Sequence, residues 1–534
     1  MLPDDLPWRR LFTISWLRFT MRRMNLVSSV FRAAETMNRW SEPAIVCDET
    51  TVSYAHLLSS VKKFGAVVRA LGIERGERVA IVASDCPQWI ISFLGTVMVG
   101  AVAVPVSTML APLELKYILH HSGARMVVTT SEQLEKLRSL RNGLAQLESV
   151  LLIDGESEDT LGFESMLTSA SEAEIETVSD ETLAFILYTS GSTGQPKGAM
   201  HVHRNLPFTV ETCCKQILNP GPTDRLFSSS RLFFAYGLGN SLSFPLASGS
   251  TSILCKARPT PSLISDVFER QRPTVFFGVP AVFRALLEYA SQGNAINTDS
   301  IKFCISAGEK LPETIFYEWK ELTGLDILDG IGSTEMLQMF ISNRRGRLKP
   351  GSSGQVIPGY EAKLIDKEDN PIAGAGAGQL LIRGGSACTG YWNDPVKTAS
   401  TIQDGWVRSG DMYRRDDDQF YWFEGRSDDL FKVKGLWVSP IEVEEALLSC
   451  PEVVEAAVVP GLNRDGMNSV IAYVVLRSGS GSEDDAAASL KTAVSKTLPS
   501  YKCPAAVRLV SSLPRTATGK LQRFKLREHG SDSI

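Results

Sequence analysis

Between Tyr188 and Gly198 the chain reads Tyr-Thr-Ser-Gly-Ser-Thr-Gly-Gln-Pro-Lys-Gly, which gathers four aliphatic hydroxyls, three glycines and one lysine into a single loop. Glycine lets a backbone approach an anion closely and turn successive N–H groups toward it. Thr189, Ser190, Ser192 and Thr193 add hydroxyl donors, and Lys197 adds a mobile positive charge. Polyphosphate is the ligand that such a loop suits. The pattern is not that of the P-loop nucleotidases, because no Lys-Ser or Lys-Thr follows the second glycine at the required spacing. A flexible Ser/Gly linker has a similar composition. The apolar run Ala184–Leu187 before the loop and a helical pattern after it argue against a linker.

Most of the chain alternates strand-like runs with helical patterns. Arg78–Ala83, Met126–Val128, Val150–Ile153 and Val275–Phe277 read as strands, while Leu57–Leu71 and Pro280–Tyr289 carry helical spacing. This alternation predicts α/β layers with largely parallel sheets. After residue 350, glycine-rich turns separate short strands at Ala362–Ile365, Gln379–Ile382 and Gln419–Phe423, which predicts a small β-barrel or meander. Beyond Asp429 a compact α+β pattern follows: a strand pair, a helix at Ile441–Ser449, strands at Val453–Val459 and Ser469–Val475, and a helix at Ala486–Leu498. The expected class is α/β, with a large N-terminal domain of layered α/β subdomains plus a small β-barrel, then a small α+β C-terminal domain. Gly374–Gly378 looks like part of a dinucleotide fingerprint, but its spacing and context are wrong, and it is read as a turn.

A length of 534 residues exceeds one hydrophobic core and predicts several domains. A hydrophobic content of 43% with 22% charged residues is ordinary for a soluble globular chain. The net charge of −5 excludes nucleic acid as the main partner, since a phosphate backbone demands a basic face. Nine cysteines show no metal-binding spacing and read as reduced, mostly buried thiols of a cytoplasmic protein. Trp89–Leu110 carries no charge and is nominally long enough to span a membrane, but Gly95, Gly100, Pro105 and Ser107 interrupt it. A buried helix, a turn and a buried strand are expected there, and no membrane span. Residues 1–24 place Arg9-Arg10 before an apolar run without a small-residue cleavage site, and are expected to form a disordered or surface-packed extension.

Further motifs follow the loop in order: Ser306-Ala307-Gly308-Glu309, Gly330-Ile331-Gly332-Ser333-Thr334-Glu335, Ser409-Gly410-Asp411, Gly425-Arg426-Ser427-Asp428-Asp429, Lys432-Val433-Lys434-Gly435 and Pro514-Arg515-Thr516-Ala517-Thr518-Gly519-Lys520. With the Tyr188–Gly198 loop, this series resembles the acyl-adenylate-forming enzymes, which include acyl-CoA synthetases, luciferases and the adenylation domains of peptide synthetases. The resemblance runs from Asn25 to Arg527. Leu232–Asn240 and Gly330–Met336 are similar to the benzoate-CoA ligase branch. The resemblance implies an extension at 1–24, an adenylate-forming domain at 25–427 and a mobile C-terminal domain at 428–534, hinged at Asp428.

It also implies a reaction. A carboxylate is a poor electrophile, and joining it to AMP makes a mixed anhydride that a thiol can attack. The implied enzyme is an ATP-dependent aryl-CoA ligase that releases pyrophosphate and uses Mg²⁺ and CoA. By the same resemblance Thr189, Ser190, Gly191, Ser192, Thr193, Gly194 and Lys197 orient the β- and γ-phosphates. Thr334 donates to the α-phosphate and Glu335 holds Mg²⁺. Ser306, Ala307, Gly308, Glu309, Asp329, Gly330 and Ile331 line the adenine, and Asp411 and Arg426 meet the ribose. Lys520 bridges the acid carboxylate and the α-phosphate, and Lys434 and Gly435 line the pantetheine channel after domain rotation. Phe234, Ala235, Tyr236 and Gly332 form a flat slot for an aromatic acid, with Met339 as adaptable filler. Gln338 stands where benzoate-type relatives tend to carry His. An amide both donates and accepts, so 2-aminobenzoate or a hydroxybenzoate is favoured over benzoate. A phosphopantetheine arm of an acyl carrier protein as acceptor, an alicyclic or medium-chain acid, and a non-catalytic nucleotide-binding scaffold are the competing readings. Monomer and homodimer stay open.

Overall fold

The computed structural model describes residues 25–189, 195–427, 429–433, 436–462, 467–477, 483–515 and 521–529. The site candidates Ser190, Gly191, Ser192, Thr193, Gly194, Asp428, Lys434, Gly435 and Lys520 therefore lie outside the described residues, as do residues 1–24. The fold is α/β: a large N-terminal domain of two layered sheets with a half-barrel, and a small α+β C-terminal domain.

One sheet has seven strands among the described residues, in the order Leu161–Gly162, Ser149–Leu152, Ala124–Thr129, Arg78–Val82, Val102–Pro105, Leu183–Thr189, Lys197–Val202. A second has nine, in the order Gln355–Val356, Met339–Ser342, Ile327–Gly332, Phe303–Ser306, Val275–Gly278, Arg225–Ser228, Thr251–Leu254, Pro43–Cys47, Thr50–Ser53. Both are parallel through their centres. The seven-stranded sheet is antiparallel at one edge, where Leu183–Thr189 pairs with Lys197–Val202, and the nine-stranded sheet at both, where Ile327–Gly332 pairs with Met339–Ser342 and Pro43–Cys47 with Thr50–Ser53. The central strands are continuous apolar runs because helices cover both faces.

The helix Pro87–Met98 is buried at every position except Gln88, which explains its lack of charge. Gly100, at φ 77°, turns the chain into the buried strand Val102–Pro105. No helix of the described residues is long and apolar enough to cross a membrane. Pro87–Met98 crosses the helix Tyr54–Ala70 at Gly95, where a Cβ would lie 2.8 Å from the Val61 carbonyl oxygen and 2.9 Å from the Phe64 ring.

The half-barrel is an antiparallel sheet of Glu361–Ile365, Gly376–Arg383, Trp406–Arg415, Ile402–Gln403 and Tyr421–Arg426. The Gly374–Gly378 run is only partly a turn. Gly376, Ala377 and Gly378 pair with Arg415, Arg414 and Tyr413, and glycine fits at 378 because a Cβ would lie 2.3 Å from the Ile365 oxygen. The C-terminal domain pairs Val453–Leu462, Asn468–Leu476 and Ala506–Leu509 beneath the helices Pro440–Leu448 and Glu483–Thr497, around Val443, Leu447, Val458, Val474, Leu490 and Val494. It meets the rest of the chain through the ion pairs Lys310–Glu445 and Arg515–Glu309. All nine cysteines are free thiols, and eight are buried. Burial pushes the Cys86 thiol up to about 11 and Cys47 up to about 12, so neither is a ready nucleophile.

Candidate active site

Two of these antiparallel edges carry turns that hold candidate site residues. In the first, Thr189 pairs with Lys197, so the strands that flank the hydroxyl-rich stretch are antiparallel partners. The helical pattern expected directly after this loop is a strand instead, Lys197–Val202, and helix begins only at Asn205. Two contacts account for the strand. A Cβ at Gly198 would lie 2.7 Å from Ile186 and 3.1 Å from Tyr188, so only glycine lets the strands close here. The outer edge is also covered by the segment Cys388–Trp392: Thr389 N donates to the Met200 carbonyl at 2.9 Å, Met200 N to the Gly390 carbonyl at 2.9 Å, and Trp392 N to the Gly198 carbonyl at 2.7 Å. Asn205 Oδ1 accepts the Val202 amide at 2.8 Å and ends the strand.

The second turn, Ser333–Gln338, joins Ile327–Gly332 to Met339–Ser342. At Gly332 a Cβ would lie 2.8 Å from the Gln338 backbone. The first hairpin reaches this turn through His201, whose Nε2 is 2.8 Å from the Thr334 carbonyl. The His201 ring is wholly buried and stacks on Phe185 at 5.1 Å. Burial pushes its pKa down to about 4, so the imidazole is neutral and Nε2–H donates to the carbonyl. Glu335 is held twice: its Oε1 accepts the Tyr391 hydroxyl at 2.6 Å, and its carbonyl accepts the Cys388 amide at 2.7 Å. The Lys197 ammonium sits 5.9 Å from the centre of the Tyr391 ring. Burial, then Lys397, lowers the Lys197 pKa, while Glu335 and Asp394 oppose them.

Ser306 and Asp329 are cross-strand neighbours and both buried. Burial pushes the Asp329 carboxyl well above the usual carboxylate range. Gly308, at φ 98°, turns the chain outward so that Glu309 reaches the surface, while Gly330 is buried and Ile331 half-buried. Ala307 is buried. Asp411 and Arg426 are opposite one another on paired strands and form an ion pair at 2.8 Å. Gly410 makes room for it, since a Cβ there would lie 2.7 Å from the guanidinium.

Phe234 caps a short helix, Ala235–Leu238, and its ring meets Phe233 edge-on at 4.6 Å. Tyr236 meets Phe277 edge-on at 6.3 Å. Gln338 joins this segment to the second turn. Its Oε1 accepts the Met339 amide at 3.0 Å, which orients the amide. Its Nε2 then makes long bonds to Asn240 Oδ1 at 3.3 Å and the Tyr236 carbonyl at 3.4 Å. Asn240 is fully buried, and its Nδ2 has no hydrogen-bond partner among the described residues. Met339 is buried beside Gly330, where a Cβ would lie 2.7 Å from its sulfur.

Lys197, Thr334 and Glu335 thus converge, and Gln338 ties them to Phe234–Tyr236. Sequence reasoning missed His201, Tyr391 and Asn240. The alternation His201-Val202-His203 and the aromatic pair Tyr391-Trp392 after Gly390 were the available signals.

The AMP-binding enzyme family matches residues 31–392, and the AMP-binding enzyme C-terminal domain matches residues 442–520. The chain is 40% identical over 495 residues to the benzoate–CoA ligase of Thauera aromatica, covering 92% of this chain and 93% of that one. Its fold is similar to that of the anthranilate CoA ligase AuaEII in complex with anthranoyl-AMP, with a TM-score of 0.90 at 34% identity over 97% of this chain and 99% of that one. A benzoate CoA ligase from Burkholderia xenovorans LB400 gives a TM-score of 0.86 at 37% identity, over 94% and 100% of the two chains. The chain belongs to the AMP-binding enzyme family, within the AMP-forming acid–thiol ligases.

Proposed function

We propose that this enzyme is an aryl-CoA ligase whose acid is a benzoate bearing a hydroxyl or amino group on the ring. The observation that carries the reading is that one turn, Ser333–Gln338, borders the Thr189–Lys197 strand pair on one side and the Phe234–Asn240 segment on the other. Thr334 meets the phosphate hairpin through His201, Glu335 lies beside Lys197, and Gln338 abuts Tyr236 and Asn240. Joining an acid to a triphosphate requires such adjacency, because two anions must be held together.

In this reading the acid carboxylate attacks the α-phosphorus of ATP, and pyrophosphate leaves. Lys197 and the loop from Thr189, including Ser190–Gly194, offset the charge on the leaving group. Thr334 donates to the α-phosphate, and Lys520 approaches the carboxylate and the α-phosphate together. Asp411, fixed by Arg426, accepts from the ribose hydroxyls. A carboxylate beside a triphosphate is the donor set that Mg²⁺ takes, and Glu335 fits that role. Bound there, Mg²⁺ would supply charge neutralisation of the phosphates. Rotation of the C-terminal domain about Asp428 then withdraws Lys520 and brings Lys434 and Gly435 to the CoA channel. The CoA thiolate attacks the acyl carbon, and AMP leaves. Comparison with the benzoate, hydroxybenzoate and anthranilate ligases supports an aromatic acid. The buried Gln338–Asn240 amide pair supports a polar substituent.

The test is pyrophosphate release with ATP and Mg²⁺, with and without CoA, across benzoate, 2-aminobenzoate, the hydroxybenzoates, cyclohexanecarboxylate and octanoate. CoA-dependent turnover greatest on a substituted benzoate is expected. Turnover confined to octanoate or cyclohexanecarboxylate would overturn the aromatic slot. A burst that CoA does not relieve would point to a carrier-protein acceptor.

A further inference from the structure

The segment Cys388–Trp392 lies outside every motif that the adenylation reading uses. It is nevertheless hydrogen-bonded along the edge of the phosphate hairpin and to the Glu335 carbonyl. Tyr391 points inward from it and is 5% exposed. Its hydroxyl donates to Glu335 Oε1 at 2.6 Å, within the range of a charge-assisted O–H···O⁻ bond. Its ring forms the wall beside the Lys197 ammonium. One side chain therefore touches both the carboxylate and the cation that face the triphosphate in the proposed reaction.

We infer that Tyr391 is a positioning residue that fixes the Glu335 carboxylate for the divalent cation and holds Lys197 in register with it. The inference rests on the reading of Glu335 as the metal carboxylate. Glu335 sits on a turn and is only half-buried, so its side chain has rotamer freedom to lose when a cation binds. A hydrogen bond to one oxygen removes part of that loss beforehand and leaves the other oxygen's lone pairs for the cation. Outer-shell donors to a ligating carboxylate act in this way elsewhere, and their removal typically weakens metal binding 10–100-fold. The phenol O–H is the donor, because an ionised carboxylate can only accept. Packing alone would be served by phenylalanine, which keeps the ring beside Lys197 and lacks only the O–H.

The experiment follows from that difference. Mn²⁺ binding to the full-length enzyme is titrated by electron paramagnetic resonance with ATP present and no acid, so that no turnover occurs. Wild type is compared with Tyr391→Phe, Glu335→Gln and the double variant. Tyr391→Phe is expected to weaken Mn²⁺ binding about tenfold. The melting midpoint and the KM for the acid should not move. The double variant should bind no more weakly than Glu335→Gln alone, because both changes act through one carboxylate. If Glu335→Gln weakens Mn²⁺ binding and Tyr391→Phe does not, the inference falls and the reading of Glu335 stands. If Glu335→Gln leaves Mn²⁺ binding unchanged, both fall. Additive losses in the double variant also overturn the inference.

Discussion

Gln338 has its amide oxygen taken by the Met339 N–H, which leaves its two N–H groups on bonds of 3.3 and 3.4 Å. Bonds that long are readily exchanged for a better acceptor. Gln338→Leu should therefore lower kcat/KM for the hydroxyl- or amino-substituted acid about tenfold relative to benzoate, read from paired steady-state assays. Two histidines belong to the same scale. Burial pushes His201 and His203 from 6.5 down to about 4. Above pH 6.5 neither the folded nor the unfolded imidazole binds a proton, and there is no cost. Between about 6.5 and 4 the unfolded form is protonated and the buried one is not, so stability falls as pH falls, by up to roughly 3 kcal/mol per histidine. Asp85, pushed up to about 6 by burial, acts in the opposite direction over part of that window. The histidine contribution is therefore read as a difference: the acid slope of the denaturation midpoint should be shallower in His201→Gln than in wild type.

At the scale of elements, the hairpin edges of the two sheets decide the site. Thr189–Lys197 and Gly332–Met339 are both strand-pairing ends, and each closes only because a glycine, Gly198 or Gly332, omits a side chain from the pairing. The same economy of space governs the crossing of Tyr54–Ala70 with Pro87–Met98. Gly95→Val should lower stability by about 1–3 kcal/mol through overpacking against Val61 and Phe64, read by chemical denaturation, with turnover per folded molecule unchanged. The motifs themselves were legible as short strings, and so were most strands and helices, because their periodicity is local. The strand Lys197–Val202 was not. Gly-Ala-Met-His-Val alone carries no record of the Cys388–Trp392 segment, far along the chain, that pairs with its outer edge.

Across the whole molecule, the C-terminal domain is held against the large one by charge pairs at its rim. Lys310–Glu445 and Arg515–Glu309 both anchor on the stretch that follows the strand Phe303–Ser306, and Arg515 also meets Glu455 of its own domain at 3.0 Å. Partly exposed pairs of this kind are worth up to about 1 kcal/mol each, enough to bias a domain arrangement without locking it. Lys310→Glu should slow pyrophosphate release by up to about fivefold and spare thioester formation from preformed acyl-AMP. The double reversal Lys310→Glu with Glu445→Lys should recover most of the loss. Equal loss in both half-reactions would contradict this account.

Local composition and order carried the class of the fold and the family, and singled out Lys197, Thr334, Glu335, Asp411 and Arg426 as candidates, because those signals sit in contiguous strings of a few residues. Tertiary structure alone decided what each of them touches. His201 reaches Thr334 across 133 residues of sequence, and Tyr391 reaches Glu335 across 56. Such contacts arise from strand pairing and from the burial of neutral or paired polar groups. Both depend on partners that no local pattern names.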